Sequence, residues 1–94
     1  MEINVLTLLK PYDIDEEDFN DMKSAYEGIE FLDAERVLKN LMVLEQFGFP
    51  KSDINILLLS NPKILAYNPK ILAEKLMLLG GDIETKLKSN PFLI

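Results

Sequence analysis

Apolar residues recur along this chain at spacings of three and four, and Gly or Asn-Pro interrupts them at intervals. That period belongs to amphipathic helices, and the interruptions are helix stops. Phe19, Met22 and Tyr26 fall on one face of a helix that Gly28 ends. Ile29, Phe31 and Leu32 make a short apolar link. A helix is predicted over residues 34–47, with Asp33 as its N-cap and a broad apolar face of Val37, Leu38, Leu41, Met42 and Leu44. Gly48 supplies the left-handed residue that closes it, and Phe49 packs after the stop.

The next helix opens at Pro50 or Ser52 and runs to Ser60. Ile54, Leu57 and Leu58 give it an inward face, which Ile56 and Leu59 widen to most of the circumference. Such a helix is expected to be buried between neighbours. Asn61-Pro62 breaks it, and Lys63 to Tyr67 has room for one turn of 3₁₀ type. Asn68 then caps a helix whose first residue is Pro69. Its core face is Leu72, Leu76 and Leu79, flanked by Ile71, Ala73 and Met77, and Gly80 ends it. A last helix carries Ile83 and Leu87 and stops near Asn90-Pro91. At the other end, the apolar run Ile3 to Leu9 stops before Lys10-Pro11. We read it as a short helix that covers one end of the molecule.

The phrases repeat. Asp53-Ile54 is followed by Ser60-Asn61-Pro62, and Asp82-Ile83 by Ser89-Asn90-Pro91, at a shift of 29 residues. The first half aligns more weakly at a shift of 35, with Asp18-Phe19 against Asp53-Ile54 and Asp33 against Asn68. Periods of this length mark stacked repeats, which bury their core against the next repeat. The chain divides into a single domain made of an N-terminal arm or helix (1–12), a divergent repeat (13–47), a full repeat (48–81) and a half repeat (82–94).

Charge changes the picture more than composition does. Residues 1–47 hold four cations against twelve acids, a net of −8, and residues 48–94 hold six lysines against four acids, a net of +2. The acidic run Asp13 to Asp21 does not fit a calcium loop, which needs Gly at its sixth position and Glu at its twelfth, where this chain has Asp18 and Ser24. It fits a helix N-terminus, with Asp15 as cap and Glu16, Glu17 and Asp18 facing the positive end of the helix dipole. There is no His and no Cys, hence no imidazole base, thiolate or zinc site made from them. Phosphate-binding glycine motifs are absent too, and no cofactor or small-molecule substrate is expected. No apolar run is long enough to span a bilayer, and the start lacks the marks of a secretory signal. The expectation is a cytoplasmic protein without a membrane partner.

The stretch from Gly48 to Gly81 resembles a repeat of the mitochondrial transcription termination factor family. The residues that carry the likeness are Leu44 and Gly48, Asp53-Ile54, Pro62-Lys63-Ile64-Leu65, then Leu72, Leu76, Leu79 and Gly80. Residues 76–94 match a second time, up to Leu93, so the likeness covers mainly residues 41–94. It implies an all-α fold, a short right-handed solenoid of about two and a half helix–3₁₀–helix repeats. It also implies nucleic-acid binding on a concave face. The acidic first half departs from that pattern, because net negative charge repels a phosphate backbone.

Three functions compete. The first is a non-catalytic docking module for a protein partner or a second copy, with Tyr67, Phe92, Leu93 and Ile94 as candidate contacts. Leu93 and Ile94 also occupy repeat-equivalent positions, where apolar residues normally point inward. The second is nucleic-acid binding through Lys51, Lys63, Lys70, Lys75, Lys86 and Lys88. Scattered lysines are also what any solvated helix surface carries. The third is an enzyme using carboxylates as acid and base; it is disfavoured because the acids sit at helix starts and on exposed faces.

Overall fold

The computed structural model describes residues 4–94, and within them every regular element is helical. Six α-helices run Val5–Leu9 (α1), Glu16–Ala25 (α2), Ala34–Gln46 (α3), Lys51–Ser60 (α4), Pro69–Leu78 (α5) and Ile83–Ser89 (α6). Four 3₁₀ turns lie between and after them: Lys10–Tyr12 (η1), Glu27–Phe31 (η2), Pro62–Ala66 (η3) and Pro91–Leu93 (η4). Ile3, the first apolar position of the N-terminal run, lies outside the described residues; Asn4 caps α1, and Val5 to Leu9 form it.

Two of the three predicted N-cap side chains, Asp15 and Asn68, make their capping bonds. Asp15 accepts from the Asp18 amide at 2.8 Å and Asp18 accepts from the Asp15 amide at 3.4 Å, a reciprocal capping box. Asn68 accepts from the Lys70 amide at 2.9 Å, and Pro69 takes the first helical position, where its missing N–H costs nothing. Asp33 stands at the N-cap of α3 but its side chain makes no capping bond. Gly48 and Gly80 close α3 and α5 at φ +93° and +73°, a region that a side chain would strain.

Backbone shape recurs along with sequence. The residue that ends each first helix is extended in the same way: Tyr26 at φ/ψ −145/95, Asn61 at −141/74 and Asn90 at −147/93. Each donates its amide to the carbonyl four residues back, on Met22, Leu57 and Lys86. After the turn, Leu32 (−67/146) and Asp33 (−62/123) match Tyr67 (−64/148) and Asn68 (−60/129). The order helix, 3₁₀ turn, helix occurs over α2–η2–α3 and α4–η3–α5 and also over α1–η1–α2, and α6–η4 gives its first two members. α2 packs on α4, α4 on α6, and α3 on α5, while α1 lies against α3 with Val5 and Leu9 buried. The molecule is elongated, 38 × 23 × 21 Å.

One core runs through these contacts. It takes Leu9 and Ile14 from the start, Met22, Ile29, Leu41 and Leu44 from α2 to α3, Ile54, Leu58, Ile64, Leu65, Leu72 and Leu76 from α4 to α5, and Leu87 and Ile94 from α6 onward. Three faces are narrower than the sequence predicts. Leu38 and Met42 of α3 are exposed, as are Ile56 and Leu59 of α4 and Ile71 and Met77 of α5. The reason is geometric: helices that touch neighbours on only some sides bury a restricted arc, and six short helices cannot surround any one of them.

Tyr12 sits at the joint between η1 and α4, buried, with the Lys51 ammonium 5.6 Å from its ring centroid. Burial, then the nearby Glu45 carboxylate, pushes its phenol up to about 12 from 10.0. The folded protein therefore keeps a proton that the unfolded chain releases near pH 10. This contribution is complete below that pH and is lost as pH rises toward about 12. Ultraviolet titration of the folded protein is expected to show a tyrosine step near 12 that Tyr12→Phe removes.

A candidate docking surface on α5

α5 exists because Asn68 and Pro69 start it and Gly80 ends it, and Leu72 and Leu76 anchor it in the core. Beside that face runs a different stripe. Ile71, Lys75 and Leu78 are spaced by four and three residues, and Glu74 lies beside them. At 3.6 residues per turn the four cover an arc of roughly 100°. Ile71 is 47% exposed and Leu78 86%. Tyr67, half-buried just before the helix, continues the stripe, with the Lys75 ammonium 5.6 Å from its ring centroid.

The equivalent stripe on α3 shows what such a surface does inside the molecule. Arg36, Asn40 and Val43 occupy the positions that correspond, 35 residues earlier, to Ile71, Lys75 and Leu78. Arg36 Nη1 donates to the Ala66 carbonyl at 3.3 Å. Asn40 Nδ2 is 2.7 Å from the Tyr67 carbonyl, 3.0 Å from that of Leu65 and 3.3 Å from that of Ile64. The α3 stripe thus holds the end of η3, and α5 packs on the same helix. The α5 stripe holds large apolar side chains in contact with solvent.

Of the other candidate contacts, Phe92 (65% exposed) and Leu93 (46%) are open at η4, whereas Ile94 is in the core at 5% and has little surface to offer a partner.

The six candidate lysines are in unlike surroundings. Lys88 lies 3.3 Å from both Asp53 Oδ2 and Glu84 Oε1, and these contacts, Asp53 first, raise its pKa above the ordinary lysine value. Lys86 donates to the Leu79 carbonyl. Lys51 and Lys75 lie over the Tyr12 and Tyr67 rings. Lys70 shares an open cleft of about 410 Å³ with Arg36 and Lys39, but Asp33 and Glu35 line it too. Lys63 is exposed on η3.

Sequence reasoning missed three asparagine clamps. Besides Asn40, Asn55 Nδ2 donates to the Tyr12 carbonyl at 2.8 Å, and Asn61 Nδ2 to the Pro91 carbonyl at 3.0 Å. They join α3 to η3, α4 to η1, and the end of α4 to η4. A signal for Asn40 was present: it sits three residues after Val37 and four before Leu44, inside the apolar face of α3. A polar residue there has to find partners across the interface.

Among the described residues no cluster of His, Cys, Asp or Glu is arranged to hold a metal ion, and no helix is long and apolar enough to cross a membrane. Comparison with family models, with curated proteins and with solved structures returns no match.

Proposed function

We propose that this chain is a non-catalytic docking module built from stacked helix–3₁₀–helix units, a short right-handed solenoid like that of the mitochondrial transcription termination factor family. Its protein partner, or a second copy, settles on the Ile71–Leu78 stripe. The supporting observation is the contrast between two equivalent stripes: on α3 it holds the end of η3, and on α5 it carries Leu78 at 86% exposure. Exposed apolar surface of this kind favours association over solvation. Tyr67 and Lys75 flank the stripe, and Phe92 and Leu93 are a second exposed apolar pair.

Site-specific photo-crosslinking in the expressing cell tests this. A photoreactive residue at position 78 is expected to give discrete protein adducts, and one at Ser24, an exposed position on α2, none. Equal labelling at both positions, or none at 78, overturns the reading.

Nucleic-acid binding remains the second reading, supported by the grouping of Arg36, Lys39 and Lys70 in one cleft. Phosphate contacts are strongest at low salt, so a mobility shift with DNA and RNA under that condition decides it. The acids in the same cleft and the net charge of −6 weigh against it.

A further inference from the structure

We propose that residues 82–94, α6 with η4, form a strap that swings off α4 as one piece while the rest of the molecule stays folded. The inference is independent of the docking reading. Its first basis is the joint. Gly80 (φ +73) and Asp82 (φ +60) both take left-handed backbone, with Gly81 between them. Apart from its chain neighbours, no atom lies within 4 Å of the place where a Cβ on Gly81 would stand, so nothing is packed against the joint there. The left-handed form is unfavourable for a residue with a side chain, and Asp82 makes no capping bond to offset it.

The second basis is how little holds the strap. α6 has seven residues, too few to persist without packing, and it packs mainly on α4. Leu87 is its only buried residue, η4 buries none, and Ile94 adds one core contact at the end. α4, by contrast, buries Ile54, Leu57 and Leu58. Two polar links complete the attachment: Asn61 Nδ2 to the Pro91 carbonyl at 3.0 Å, and Lys88 Nζ to Asp53 Oδ2 at 3.3 Å. The Asp53 side chain is 9% exposed and has no other ion-pair partner among the described residues. A carboxylate covered by α6 without its cation would oppose closure, so Lys88 is the latch. Opening returns Asp53 to water and uncovers Phe49 and Leu57, which line one seam with Leu87 and Pro91. The strap thus switches an apolar surface around a carboxylate between covered and open.

Native-state hydrogen exchange on the full chain tests this. The amides of Lys86, Leu87 and Asn90 are expected to share one protection factor, about a hundredfold or more below those of α4. Val37→Ala, in the buried face of α3, should lower the protection of α3 to α5 about tenfold or more. It should leave the three strap amides within about twofold, because the closed and open forms lose the same contact. Lys88→Gln should lower the protection of the strap amides about tenfold. Adding Asp53→Asn removes the stranded charge and should return them to within about threefold of the parent. Circular dichroism checks that each variant is folded. Strap protection equal to that of α4 overturns the proposal, as does protection that falls stepwise from Lys86 to Asn90, which is fraying from the end. A Val37→Ala loss shared by the strap, a Lys88→Gln variant without effect, or a double variant without recovery overturns it too.

Discussion

Leu65→Ala is expected to destabilise this protein by about 3–4 kcal/mol, within the range measured for leucine truncations in closed cores. Leu65 has no exposed surface and sits on η3, which touches α3, α4 and η2. Removing its branched end leaves a cavity where η3 meets these elements, and the rigid turn cannot collapse to fill it. For a chain of 94 residues, total stability is on the order of 5–14 kcal/mol. The loss is therefore a large share of the whole, and the melting temperature should fall by roughly 12–30 °C. Denaturant unfolding should show the midpoint displaced with an unchanged slope. Leu78→Ala is the control. That side chain is exposed, and truncation should change stability by less than about 0.5 kcal/mol. If Leu65→Ala costs no more than Leu78→Ala, η3 is not the joint that holds α3, α4 and η2 together.

The same contrast explains what could be read from the sequence. Helix positions follow from local chemistry, and local chemistry is written residue by residue. Asp15 and Asn68 cap, Pro69 starts a helix, and Gly48 and Gly80 take left-handed conformations because they lack a Cβ. The shared backbone shape at Tyr26, Asn61 and Asn90 has the same origin, although Tyr26 reaches it without a following proline. Which arc of each helix is buried is a property of its neighbours. Ile56 and Leu59 look like core because they are apolar, and no local signal says that α4 has solvent on that side. The α5 stripe was hidden for the same reason. Ile71 reads as a flank of the core face until a neighbour is placed, and only then does its alignment with Leu78 stand out. Ile94 shows the converse: a terminal apolar residue that could face a partner is in the core.

Asn40→Ala is expected to cost about 2–4 kcal/mol, more than its single amide suggests, because the loss falls on the carbonyls that remain. Asn40 is fully buried, and its Nδ2 reaches the carbonyls of Ile64, Leu65 and Tyr67. With two hydrogens to give, the amide supplies donors for the Leu65 and Tyr67 carbonyls, while the Ile64 carbonyl also accepts from the Tyr67 amide. Alanine removes the side-chain donor from both, and a buried acceptor without a donor costs about 1–3 kcal/mol. The donor role separates from volume in Asn40→Asp. Aspartate has nearly the same shape but turns acceptors toward acceptors, so it should be at least as damaging as alanine at neutral pH. Burial among carbonyls raises such a carboxyl above its ordinary value. The protonated acid can donate, so the Asp variant should recover stability as pH falls through that raised value. The Ala variant has no group to titrate there and should not. Thermal melts of both across the acid range read the difference directly. An Asp variant as stable as the parent at neutral pH would mean that Asn40 fills space between α3 and η3 and does not hold them through its amide.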